Sequence, residues 1–273
     1  MSKEKKVDTN YELQTWEVEK MISIMEQVAA GDYSADVTDF TKAGYSGTIR
    51  RIAEAFGMMM VEIEARECYL ERLNHELNRL NEDMKKNIIQ TVITIAHSLG
   101  ARDKYSEGHA QRVSRYAQRL AIRIEIPADE IENIRIGGLL HDIGKLGFSD
   151  SVFRNETEHP SKAILNEIKK HPLIGKKILK DLDFLSPIIN DVCCHHERED
   201  GSGYPRGLAG DKIPLGAKII GIADTFDALT TDRPYQKARP LEEAYAILDK
   251  IGGKGFDPAL VKAFIEEIRE NGI

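Results

Sequence analysis

The sequence predicts an all-α protein, in which a helical bundle is preceded by a pair of helices and a coiled coil. Three observations carry this. A seven-residue apolar repeat runs through 49–84 with no proline in it. Charged residues make up 30% of the 273-residue chain, a proportion that leans helical. All nine prolines lie beyond residue 89, where they and the glycines punctuate stretches of helical spacing.

Taken in order, the first helix is expected over 11–29, with Val18, Met21, Met25 and Val28 on one face. Gly31-Asp32-Tyr33 supplies its stop. A short extended connector with Val37 and Phe40 leads to the second helix. There Ile49, Phe56, Ile63, Leu70, Leu77 and Met84 recur every seven residues, and Ile52, Met59, Leu73 and Leu80 fill the intervening positions. Arg66 and Asn87 interrupt that second register. Glu62, Glu64, Glu71, Arg72, Asn78 and Lys85 leave only a narrow apolar seam, which favours a coiled coil with a like partner over a helix lying on its own domain. Residues 1–88 are therefore read as a signalling and dimerisation region, and residues 89–273 as the domain that carries the chemistry. In the second region a helix begins at Ala128-Asp129-Glu130, acidic at its N-terminal end. Its buried face is Ile131, Ile134, Leu139 and Leu140. Gly201 to Gly210 is a loop, and the segment Ile213 to Asp227 resumes as a helix after Pro214.

The net charge of −7 argues against a nucleic-acid polymer or an anionic membrane as partner, so an anionic ligand would need a local positive field. No segment approaches the ~18 consecutive apolar residues of a membrane span. The N-terminal MSKEKKVDTNYELQ has no apolar core of a secretory signal. Three cysteines, Cys68, Cys193 and Cys194, form no CxxC pair and suit a reducing compartment. Cys193 and Cys194 are read as small buried hydrophobes. A cytoplasmic protein is expected.

Five of the eight histidines join two aspartates in one series: His109, His141-Asp142, His171, His195-His196 and Asp224. Seven such groups are too many for one tetrahedral ion and suit two adjacent cations that share a carboxylate. In HDIGKLG, residues 141–147, Lys145 lies one helical turn after His141 and reaches the same site. Adjacent residues on a helix diverge by about 100°, so His195 and His196 can face different ions. In the loop that follows, Gly201 and Gly203 permit a tight path and Tyr204-Pro205 stiffens it. This loop either braces the fold or touches substrate. Further on, Asp227 stands one turn after Asp224 and is placed to orient a ligand. Arg233 offers a planar fork for phosphate, and Lys237 is a nearby point charge. His159 falls in a polar stretch, His97 in an amphipathic helix and His75 on the heptad helix, so none of these joins the series.

HDIGK, HHERxDGSGYPxGL and DTFDALTTDRPY, in that order, resemble the signature of the HD-GYP subfamily of HD-superfamily phosphohydrolases over about residues 89–260. The resemblance implies a helical bundle around a two- or three-metal site, usually iron or manganese. It also implies hydrolysis of cyclic di-GMP to the linear dinucleotide or GMP. Carried over by position, the metal ligands are His109, His141, Asp142, His171, His195, His196 and Asp224, with Asp142 bridging. Asp142 and Lys145 serve catalysis. Lys145, Arg233, Lys237 and Tyr204 hold substrate, and Glu197, Asp200 and Asp227 support the ligands. Some members place a Glu four residues before the first ligand. Tyr105 stands there in this chain and Glu107 points off that face, so two divalent ions are expected. The pattern around 11–66 resembles a HAMP domain, with no membrane span before it, which implies a homodimer and a cytosolic signalling partner. Rival readings are a slow or inactive cyclic-dinucleotide receptor and a phosphodiesterase for cyclic GMP-AMP.

Overall fold

Every regular element among the described residues is helical and no strand forms, as the periodicities predict. The structure is a computed structural model that describes residues 4–33, 36–42, 44–98, 108–153, 161–232 and 237–273, with side chains from Thr15 onward except at 97 and 98. Two compact units result, Met1–Met84 and Lys85–Ile273. No helix among the described residues is long and apolar enough to cross a membrane.

In the first unit α1 spans Glu4–Ala29, and α2, Gly47–Ser98, begins after a short 3-10 turn at Thr38–Thr41. Phe40, from that turn, is wholly buried against Met21, Ile49 and Ala53. Val28, Val37, Phe56 and Met60 form the next layer. The heptad therefore divides. Ile49 and Phe56 pack within the chain with Ala53 and Met60 as companions, while Ile52 and Met59, expected in a seam with a like partner, are exposed. The reason is geometric: α1 and the connector cover the side of α2 one residue round from the expected seam. Val18 of α1 is exposed too, as are Leu70, Leu73, Leu77, Leu80 and Met84 further along α2.

The second unit contains α3 (His109–Arg123), α4 (Ala128–Leu140), α5 (Asp150–Phe153), α6 (Lys162–Ile168) and α7 (His171–Leu179). Then follow α8 (Ser186–Cys194), α9 (Leu215–Thr230), α10 (Leu241–Ile251) and α11 (Pro258–Asn271). Sequence punctuation explains the ends. Pro127, Pro214 and Pro240 stand in extended conformation just before α4, α9 and α10, because proline restrains the chain outside a helix and costs nothing at its start. Ile213 is extended as well, so α9 starts directly after Pro214, as expected. Asp257 caps α11 by accepting the Ala259 and Leu260 N–H groups. Tyr116 and Leu120 of α3 meet Ile219, Ile222 and Phe226 of α9, Leu248 of α10 and Phe264 of α11 in the larger core. A second core joins Leu140 of α4, Leu179 of α7, Ile188 and Val192 of α8, and Ile93 of α2. Together these cores bring the ends of α4, α6 and α8 close to the starts of α3 and α7 and the middle of α9.

Asp191 of α8 accepts the Ala217 N–H in the first turn of α9. Burial pushes its carboxyl up to about 7; the Ala217 N–H pulls against this and the charge of Glu130 adds to it. A folded value above the unfolded ~3.9 means that the native state binds this proton more tightly. The associated stability is complete below about pH 4 and is lost as pH rises through about 7. Asp191→Asn keeps the shape and removes the titration. Its unfolding free energy in urea should gain on the parent's by about 1–3 kcal/mol between pH 5 and pH 8. A constant difference would mean that Asp191 stays ionised throughout.

Candidate metal centre

The last carbonyls of a helix have no partner inside it, and three imidazoles use them. His141, just past α4, has its Nδ1 2.8 Å from the Gly138 carbonyl oxygen. His195, just past α8, is 2.7 Å from that of Val192. His171, three residues after the end of α6, is 2.8 Å from that of Ile168. A carbonyl can only accept, so each Nδ1 carries the proton and each Nε2 presents its lone pair. His109 has its Nδ1 held by another route, 2.7 Å from Asp227 Oδ2.

The Nε2 atoms converge on Asp142. Its Oδ2 lies 3.7 Å from His109 Nε2 and 3.4 Å from His141 Nε2. Its Oδ1 lies 3.5 Å from His171 Nε2. One carboxylate thus faces two groups of imidazoles with different oxygens. His171 Nε2 is 3.4 Å from His195 Nε2, and the His195 and His196 rings are 4.0 Å apart. Asp224, from α9, lies 3.4 Å from His109 Nε2. Ligand atoms of His109, His141 and Asp142 lie within 4.8 Å of one another, and so do those of His171, His195 and His196.

Whether this arrangement suits cations can be judged from His141, whose Nε2 is buried without a hydrogen-bond partner. A buried acceptor with nothing to accept is costly, by roughly 1–3 kcal/mol. A cation on the lone pair removes that cost. Donors at ~2.1 Å from an ion are roughly 3.0–3.4 Å apart, close to the contacts across this cluster. Imidazole nitrogen with carboxylate oxygen is a donor set for first-row divalent ions.

The electrostatics point the same way. Burial opposes ionisation of Asp142, but Lys145 and then His141 and His171 hold its carboxyl well below the usual range. Burial likewise opposes ionisation of Asp224, but His109 and the neighbouring imidazoles keep it well below its ordinary value. Burial drives His195 far below a free imidazole and His196 down to about 3, so both are neutral donors. Burial also lowers His171. At His109 burial acts in that direction too, but hydrogen bonds to Asp224 and Asp227 overcome it and hold it up at about 9. A cation there competes with a proton.

Lys145 places Nζ 2.6 Å from Asp142 Oδ2, as the HDIGK spacing predicts. Tyr204 stacks on His196 with ring centroids 4.7 Å apart. Buried Glu197 accepts the Arg206 and Leu208 N–H groups at 2.7 and 2.9 Å and so staples the glycine-rich loop beneath the histidine pair. Two expected residues lie elsewhere. Asp200 is exposed and closes a turn with the Ser202 N–H rather than meeting a ligand. Lys237 is 93% exposed and pairs with Asp232, because the segment after 236 runs along the surface. Arg233, Tyr105, Glu107 and His159 lie outside the described residues, as does the side chain of His97.

Three contributors escaped sequence reasoning. Lys169 holds its ammonium 5.6 Å from the Tyr204 ring, and Arg198 lies over Phe256 at 4.4 Å. Both sit directly beside the histidine motifs, which was the available signal. The third is Gly144. A Cβ there would stand 1.8 Å from the His171 carbonyl oxygen, so the turn after Asp142 presses on the first residue of α7.

A profile of the HD domain family matches residues 94–260. The chain belongs to this family. HD phosphohydrolases are metal-dependent, in keeping with the His and Asp clusters. Among curated relatives, a cyclic di-GMP phosphodiesterase response regulator of Xanthomonas campestris pv. campestris (strain 8004) is 34% identical over 200 residues, covering 71% of this chain and 51% of its own length. A 3′3′-cGAMP-specific phosphodiesterase of Vibrio cholerae is 37% identical over 161 residues, covering 58% of this chain and 34% of its own length. The chain thus spans about half or less of these relatives. A crystal structure of a cyclic GMP-AMP-specific phosphodiesterase of V. cholerae shares the fold at TM-score 0.53 and 21% identity, covering 67% of this chain and 49% of that one.

Gly144→Ala should displace His171 and cost roughly 1–3 kcal/mol of stability or more, as overpacking does. Denaturant unfolding and manganese content measure the two effects. Parent-like values in both would show that the turn yields freely.

Proposed function

We propose that this HD-domain chain is a metal-dependent phosphodiesterase of cyclic dinucleotides, with cyclic di-GMP as substrate and linear pGpG or GMP as product. The observation that carries this reading is Asp142 between two groups of imidazoles, each with Nε2 turned inward. Two ions, iron or manganese, fit the donors. His109, His141, Asp142 and Asp224 would hold one, and His171, His195, His196 and Asp142 the other. When bound, they supply Lewis-acid polarisation of the diester and a water made nucleophilic at neutral pH.

The chain's own groups do the rest. Lys145 keeps Asp142 ionised and stands ready to balance charge on a nonbridging phosphate oxygen. Tyr204, braced by His196, offers an aromatic face to a base. Arg233 is assigned to phosphate on its motif alone. The burial of His141, His171 and His195 limits water around the ligands.

Cyclic di-GMP is favoured because that activity names several relatives. Cyclic GMP-AMP is the second reading, favoured by the 37%-identical V. cholerae enzyme. The full donor set speaks against a receptor without turnover. Free cysteines, with Cys193 and Cys194 buried and no disulfide, suit the cytoplasm. We also assign residues 1–88 to dimerisation and signal relay through a HAMP-like pair and coiled coil. The exposed Leu70, Leu73, Leu77, Leu80 and Met84 form an apolar seam on α2 that a second copy would cover, and a cytosolic partner would supply the input.

With manganese or iron under reducing conditions, the protein should linearise cyclic di-GMP, and Asp142→Asn or His141→Ala should lower kcat by at least about a hundredfold. A panel of cyclic di-GMP, 3′3′-cyclic GMP-AMP and cyclic di-AMP ranks the substrates by kcat/KM. Equal turnover by parent and His141→Ala would remove the enzymatic reading. Sedimentation should show the full chain as a dimer and residues 85–273 as a monomer; a monomeric full chain would end the dimer assignment.

A further inference from the structure

His109 opens α3 directly after Gly108, which has a left-handed φ of 72°. Its Nδ1 partner is unlike those of His141, His171 and His195. Those rings are held by backbone carbonyls three residues back, whose direction the helix fixes. His109 is held by a side-chain carboxylate on another helix, Asp227 of α9. A carboxylate can rotate about its own bonds, so it orients a ring only if something else orients it.

Arg112 is that something. It lies three residues after His109, on the same side of α3. Its Nε donates to Asp227 Oδ1 at 2.5 Å and its Nη2 to Oδ2 at 3.1 Å. This two-point grip fixes the plane of the carboxylate, which a lysine ammonium cannot do. The Thr231 hydroxyl adds a longer contact to Oδ1 at 3.4 Å. Asp227 is 1% exposed, so no bulk water competes for it. Gly108 takes part by leaving room: a Cβ there would come within 2.9 Å of Arg112 Nη1. The far face of the same ring puts Nε2 3.4 Å from Asp224 Oδ1 and 3.7 Å from Asp142 Oδ2.

We propose that Arg112 is a positioning residue of the metal centre, which fixes His109 through a two-point grip on Asp227 and so shapes the cation site of His109, His141 and Asp142. The inference rests on the metal-centre reading. It differs from a plain salt bridge between α3 and α9, which would support the fold alone.

Arg119 supplies the control. On the same helix it grips Glu267 of α11 at 3.1 Å, away from the cluster. Apo protein is titrated with Mn2+ by calorimetry, and urea unfolding is measured alongside, for the parent, Arg112→Gln, Arg112→Lys and Arg119→Gln. The parent should bind two ions. Arg112→Gln should weaken one of them by about 10–100-fold and leave the other near its parent affinity. Arg112→Lys keeps charge without the fork and should recover only part of the loss. Arg119→Gln should lower stability and leave both affinities unchanged. If Arg112→Gln fails to fold, a loss of threefold or more at one ion in Arg112→Lys supports the proposal, and parent-like binding overturns it. A folded Arg112→Gln that binds both ions as the parent does overturns it, as does an equal loss in Arg119→Gln. A parent that binds no cation removes the metal reading itself and this inference with it.

Discussion

The centre depends on a property of helix ends. The last turn of an α-helix leaves carbonyl oxygens without partners, and α4, α6 and α8 each give one to a histidine three residues further on: Gly138 to His141, Ile168 to His171 and Val192 to His195. Each hydrogen bond ends a helix and sets a tautomer in one contact. The ring is thereby held on a rigid element with its lone pair outward. Precise placement of ligands usually needs outer partners of this kind. Here the backbone supplies the partner of His141, His171 and His195, and the Asp227 carboxylate that of His109.

Packing turns these separate ends into one cluster. Val192 sits in the same core as Leu140, Ile143 and Leu179, so the segments bearing His141, His171 and His195 share apolar neighbours. On the other side Tyr116 meets the edge of Phe226 at 5.2 Å, which sets α3 against α9 close to His109, Asp224 and Asp227. The two cores hold opposite sides of the ligand set. A change in either one would therefore be felt as a change of ligand geometry as well as of stability.

Much of this could be read in the sequence, for physical reasons. Ligand chemistry admits few residue types, so His109, His141-Asp142, His171, His195-His196 and Asp224 stand out in a chain with eight histidines. Lys145 was readable because a single turn separates it from His141. Lys237 is exposed and pairs with Asp232, because nearness in sequence to Arg233 does not fix where a side chain points. Asp200 looked like a support for the ligands, yet its short side chain found the nearest N–H, that of Ser202, as aspartates in loops often do. The heptad on α2 showed an apolar period but not which neighbour takes which side. Ala53 and Met60, not Ile52 and Met59, face the partners within the chain. Gly144 was hidden altogether, since a close approach between the turn after Asp142 and the start of α7 is a fact of tertiary packing.

The charge balance bears on how the proposed site would be filled. The chain carries a net charge of −7, and Asp142, Asp224 and Asp227 are all held ionised within the cluster. Against them, Lys145 is paired with Asp142, Arg112 with Asp227 and the His109 ring with Asp224 and Asp227, while buried Arg198 feels the charge of Asp224. His195 and His196 are neutral. An anionic diester approaching such a site without cations meets carboxylates in a medium of low effective dielectric, where like charges repel strongly. The same carboxylates are what attract divalent ions. On the function proposed above, cations would load before substrate: the acidity that draws the first would oppose the second until it had been neutralised.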